Sequence, residues 1–213
     1  MFGMKKIETT WHHLLILAIE KGQFKHTQES LAGHFGYSLS TINLAVKKAA
    51  AVGAVKMSGK FFVLSDPKKL LFYWATHRNL DKDILYKTHS GLPISEIEGL
   101  IPPQSIMGGF SAAKKILGEA PSDYSKVFFY LSPETVETAT KRYPASTKGN
   151  ENIFVLKSYP KQKEYGQITT LPQTFVDLWS LSDWYAKDFL TSLEEKIDGL
   201  LSEAELVTKH VLS

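Results

Sequence analysis

Four glycines, Gly22, Gly36, Gly53 and Gly59, cut residues 8–65 into pieces short enough that each must pack against its neighbours. In TTWHHLLILAIEKG, Trp11, Leu14, Leu15, Ala18 and Ile19 recur at helical spacing and Gly22 ends the run, which predicts a helix. HTQESLAGHFGYS predicts a short second helix, capped by Thr27, with Leu31, Ala32 and Phe35 as its apolar stripe. Gly36 breaks it, and Ser38 or Ser40 caps a third. After Gly53, AVKMSGKFFVL reads as two strands joined at Ser58-Gly59. Asp66-Pro67, a cap followed by proline at the first helical position, opens KKLLFYWATHRN. Leu70 to Trp74 are apolar all round, which predicts burial in an interdomain or dimer contact.

The third helix decides what kind of protein this is. On a wheel of about 100° per residue, Ile42, Ala45, Val46 and Ala49 share one side, flanked by Leu39, Ala50 and Val52. The opposite side holds Ser40, Thr41, Asn43, Leu44, Lys47 and Lys48, and no acid. A solvated helix face usually mixes signs, with glutamates set against lysines; a face pressed on phosphates excludes carboxylates. Hydroxyls and an amide can bond base edges, and a leucine can touch a thymine methyl. The capping serines leave backbone N–H groups for a phosphate, and the hairpin brings Lys56, Ser58 and Lys60 near its tip.

Charge is distributed to match. Residues 1–80 carry eleven lysines and arginines against four acids, whereas the remainder carries fourteen against eighteen. A basic N-terminal third on an acidic remainder suggests a polyanion-binding module joined to something else. With 43% hydrophobic and 22% charged residues the composition is that of an ordinary globular protein. No apolar run approaches the ~20 residues of a membrane span, and no apolar stretch follows the basic pair in MFGMKKIETTW, so neither a span nor a signal peptide is expected and the expected location is cytoplasmic. The absence of cysteine excludes disulfides, cysteine–zinc sites and thiol catalysis.

Beyond Asn79 the texture changes. KVFFYL (126–131) and NIFVLKS (152–158) predict buried strands, with a helix in SPETVETATKRY between them and another at FSAAKKIL (110–117). The tail, from LPQTFVDLWS onward, predicts helix. The expected domains are therefore 1–79 and 80–213.

Helix, short helix, turn, helix and hairpin in this order resemble the winged helix-turn-helix of bacterial and archaeal regulators, over roughly residues 8–65. TQESLAGHFGYSLSTINLAVKKAAAVGAV carries the resemblance. PPQSIMGGFSAAKKIL, KVFFYLSPE and GQITTLPQTFVDLWSLSDWYAKDFLTSL in turn resemble the C-terminal domain of AbiEi-type regulators, the antitoxins of type IV toxin–antitoxin systems. That resemblance implies a winged helix joined to a nucleotidyltransferase-like core, repression of the chain's own operon, and pairing with a nucleotidyltransferase-type toxin.

The residues argue against nucleotidyl transfer itself. It needs two carboxylates one residue apart after a glycine turn, to hold metal ions; Gly108-Gly109 is present, but Asp123 stands alone after it. Gly53 with Gly59-Lys60 misses the phosphate-loop spacing by one and has Phe61 where Ser or Thr belongs. His12 and His13 point about 100° apart on a helix and cannot share an ion. Asp177 and Asp183 read as capping and solvated residues, and Lys157, Lys161 and Lys163 as a solvated loop. The expected fold class is α+β: an N-terminal winged helix-turn-helix and a C-terminal α/β domain. The expected function is a non-enzymatic, sequence-specific regulator without cofactor or metal, binding double-stranded operator DNA, with homodimerisation possible. Ser40, Thr41, Asn43 and Leu44 are the expected base readers. Ser38 is expected at the helix start, and Lys47, Lys48, Lys56 and Lys60 on phosphates with Ser58. Its rivals are a DNA-targeted nucleotidyltransferase-like enzyme and a protein-interaction scaffold.

Overall fold

The structure, a computed structural model, describes residues 4–211 and mixes helices with two separate sheets. In chain order the elements are α1 (Lys6–Lys21), β1 (Lys25–His26), α2 (Gln28–Phe35), α3 (Leu39–Ala51), β2 (Val55–Ser58), β3 (Phe61–Leu64) and α4 (Pro67–His77). There follow β4 (Ile84–Thr88), α5 (Ile94–Gly99), β5 (Ile106–Gly108), α6 (Gly109–Leu117), β6 (Val127–Leu131), α7 (Val136–Arg142), β7 (Ile153–Lys157), α8 (Leu171–Trp179) and α9 (Ala186–Val211). The chain forms two compact units. One comprises Lys5–Arg78 and the chain from Glu194 onward; the other is built on Asn79–Leu193.

In the first unit the glycines act as read. Gly22 and Gly36 take left-handed backbone at φ 61° and 66° and close α1 and α2. The Thr27, Ser38 and Asp66 side chains cap α2, α3 and α4 by accepting from Ser30, Thr41 and Lys69 N–H. Tryptophans tie the helices together. Trp11 Nε1 donates to the Ala45 carbonyl at 2.9 Å, holding α1 on α3. Trp74 Nε1 donates to Glu8 Oε2 at 3.2 Å, holding α4 on α1. Leu70, Leu71 and Trp74 of the apolar run in α4 are buried, and Tyr73 stands edge-on to Trp11 of its own unit at 5.2 Å. The sheet has the order β1-β3-β2, all antiparallel. Its outer member β1 is two residues long, too short to leave a periodic signal, and was not foreseen.

The expected second domain ran to residue 213, but the chain from Glu194 packs with the first unit. Lys68 Nζ pairs with Glu194 at 2.8 Å and Asp198 at 2.9 Å, and a β-carbon on Gly22 would stand 3.4 Å from Ala204. Long helices give no sign in sequence of which neighbour their far end will cover.

The other unit holds a sheet of order β4-β7-β6-β5, with β6 and β7 parallel and the edges antiparallel. Val127, Phe129 and Leu131 of β6 join Ile153 and Val155 of β7 under Ile97, Ala139 and Tyr143. On the opposite face Phe128 stacks on Phe154 at 4.8 Å, and Tyr130 donates to Asp177 Oδ2 of α8 at 2.5 Å. Helices on both faces explain why all five β6 residues are buried and read as one apolar run. Asp177, read as capping or solvated, is instead 1% exposed; an amphipathic helix pattern cannot show that its one carboxylate faces a tyrosine from a distant strand. β4 and α5, both half-exposed, and three-residue β5 had too little apolar periodicity to be foreseen.

Candidate nucleic-acid interface

Packing chooses which side of α3 is left outside. Ile42, Ala45, Val46 and Ala49 are fully buried, their small volume letting α1 and α2 approach closely. Ser40, Leu44, Lys47 and Ala51 are exposed, and Thr41, Asn43 and Lys48 half-buried. Leu39, placed beside the apolar side in the sequence reading, is 52% exposed and belongs to the outer surface.

At the head of α3 three hydroxyls form a cluster. Ser38 Oγ lies 2.9 Å from both Ser40 Oγ and Thr41 Oγ1 and accepts from Thr41 N at 3.3 Å. Ser38 is therefore the cap, and Ser40 and Thr41 present hydroxyls whose orientation it fixes. Asn43 Nδ2 donates to Gln28 Oε1 of α2 at 3.1 Å, so the amide is held rather than free-swinging.

The β2–β3 hairpin, next in the chain, is basic and exposed as well. Lys56, Met57, Ser58 and Lys60 are all exposed, and Gly59, at φ 50°, opens the two-residue turn. Lys56 of β2 and Lys25 of β1 both pair across Val63 of β3 and so share the sheet's outer face. Lys25 Nζ also sits 3.9 Å over the Phe61 ring. Lys25 escaped the sequence reading because its place beside Lys56 depends on β1.

Electrostatics sets this surface apart from the rest of the unit. With its C-terminal stretch the unit carries thirteen lysines and arginines against nine acids, a smaller excess than residues 1–80 alone. Of the acids, Glu8 is buried, Asp66 pairs with Lys69, and Glu194 and Asp198 pair with Lys68, while Glu29 is exposed in the first turn of α2, beside Gln28. Among the described residues Lys25, Lys47, Lys48, Lys56 and Lys60 form no ion pair. Unpaired ammonium groups beside hydroxyls and amides form a surface suited to an extended polyanion.

The other unit's candidates have structural partners. Gly108 and Gly109 lie against Tyr130 and Phe128, where a β-carbon would stand 3.0 Å and 2.6 Å from ring carbons. Asp123 is exposed, Asp183 pairs with Lys126 at 2.7 Å, and Lys161 pairs with Glu164 at 3.4 Å. Among the described residues no three His, Asp or Glu side chains gather in a metal-binding group, and no helix is long and apolar enough to cross a membrane. Comparison with protein-family models, with curated proteins and with solved structures gives no match to this chain.

Proposed function

We propose that this chain is a sequence-specific DNA-binding transcriptional regulator of winged helix-turn-helix type. In this reading α3 enters the major groove and the β2–β3 hairpin is the wing. The observation that carries it is the acid-free outer face of α3 with its unpaired lysines, joined by further unpaired lysines on the hairpin. The order of three helices and a β1-β3-β2 antiparallel sheet supports the same reading. Ser40, Thr41, Asn43 and Leu44 are the base-facing residues; Lys47, Lys48, Lys56 and Lys60 contact phosphates, and Lys25 joins them. In this proposal the protein works in the cytoplasm as an antitoxin-like repressor of its own operon. Residues 79–193, read as a nucleotidyltransferase-like core without catalysis, serve assembly or a toxin partner.

Lys47→Glu tests the assignment. It removes one phosphate contact and places a carboxylate on the face, so the slope of log affinity against log salt flattens by about one unit. Fluorescence anisotropy of a labelled duplex across a salt series measures it. An unchanged slope would remove α3 from the interface. A protein partner on the same surface is the second reading, favoured by the exposed Leu39, Leu44 and Met57; it requires that no duplex bind even at low salt.

A further inference from the structure

We propose that Gln28 and Asn43 work as one amide pair that reads an adenine, and that this makes the protein selective for A·T-rich sites. The inference rests on the DNA-binding reading and adds which base the site prefers. It starts from the hydrogen bond between Asn43 Nδ2 and Gln28 Oε1, which joins α3 to the first residue of α2.

That bond settles what each amide has left to offer. Asn43 has turned its nitrogen toward α2, which leaves Oδ1 as the acceptor for a partner outside. Gln28 has committed its oxygen, which leaves Nε2 as a donor. Both residues are half-buried, so these remaining groups are within reach of a ligand while their stems are held by packing. The pair therefore leaves Asn43 Oδ1 as an open acceptor and Gln28 Nε2 as an open donor, with one further N–H on Asn43 Nδ2. In the major groove guanine offers two acceptors, cytosine one donor, and thymine one acceptor and a methyl. Within a single base only adenine offers a donor, N6–H, beside an acceptor, N7; a G·C pair offers the combination only across its two bases, at cytosine N4–H and guanine O6. A guanine at that position would bring O6 against Asn43 Oδ1, two acceptors with no proton between them.

The rest of the surface agrees. Arginine is the commonest reader of guanine, and the unit's single arginine, Arg78, is buried at 7% exposed. Leu39 and Leu44 of α3 are 52% and 48% exposed, and Met57 of the hairpin is 50% exposed. Apolar side chains among hydroxyls and lysines complement thymine methyl groups, which guanine and cytosine lack. Gln28 is a positioning residue as well as a contact, since it decides which end of the Asn43 amide faces out.

The test is selection of a randomised duplex library by the full chain, followed by affinity measurements on the enriched duplex and on the same duplex with single A·T to G·C replacements. The wild type should enrich A·T pairs and discriminate against G·C at one position by about 5- to 100-fold. Gln28→Met, which keeps the shape of the side chain, and Asn43→Ala should each bring that ratio close to one at the same position, and the double variant should be no worse than either. The thermal midpoint of Gln28→Met should match the wild type, which a merely structural brace between α2 and α3 would not predict. Enrichment of G·C, or an unchanged ratio in Gln28→Met, would overturn the pair reading while leaving DNA binding intact. No binding to any duplex at low salt would overturn both.

Discussion

Gly109→Ala is expected to destabilise the unit around Asn79–Leu193 by about 2–5 kcal/mol. Two costs add. Gly109 sits at φ 57°, where a β-carbon strains an L-residue. That β-carbon would also lie 2.6 Å from Phe128 Cδ2 and 3.0 Å from Phe128 Cβ, in a layer where Phe128 is fixed between Phe110 and Phe154. Gly118→Ala is the matched control: it too has positive φ, 93°, but nothing within 4 Å of the new carbon, so it should show the conformational cost alone. Urea unfolding of the two variants separates the terms. If Gly109→Ala cost no more than Gly118→Ala, close packing on Phe128 would not be why a glycine is needed there, and a ligand-binding turn would return as the explanation.

Lowering the pH should unfold the unit of Lys5–Arg78 through His12. This imidazole is fully buried, and burial first, then the neighbouring His13 and Arg78, pull its pKa from 6.5 to about 3. The folded state therefore refuses a proton that the unfolded chain accepts. Stability is full above about pH 6.5 and falls as pH drops, by roughly 1.4 kcal/mol per unit, until the folded form itself titrates near pH 3. Between pH 6.5 and 5, before most carboxylates titrate, His12 shares the slope with His26, whose pKa burial also lowers. Unfolding midpoints in urea at these two pH values, for the wild type and His12→Gln, measure its share. Equal slopes in both proteins would show that His12 is not the titrating group.

The first unit was largely legible because its signals are local. Glycines at positive φ, capping residues and a helical stripe of small apolar residues act within a few positions of where they stand, and α1 to α4 with the hairpin follow them. What escaped depends on contacts between distant segments. Lys25 becomes part of the candidate surface only because β1 pairs with β3; Gln28 matters only because Asn43 reaches it across fifteen positions. Asp177 looked solvated because its partner Tyr130 lies on another strand, 47 positions away. In the other unit the long apolar strands announced themselves, while the short edge elements β4, β5 and α5 gain their structure from the sheet they join. The destination of the chain beyond Glu194 was illegible for the same reason: Lys68, its ion-pair partner, is more than a hundred positions upstream.

The central claim is that the surface of α3 and the hairpin binds DNA through its unpaired lysines. The most direct measurement is the affinity of the full chain for labelled DNA from upstream of its own coding sequence, against a scrambled duplex, as salt rises from about 50 to about 200 mM. Five lysine–phosphate contacts predict a log–log slope of about −4.5, roughly a 500-fold loss of affinity over that range, with the upstream DNA bound more tightly than the scrambled duplex throughout. A flat salt dependence, or no binding at the lowest salt, would contradict it.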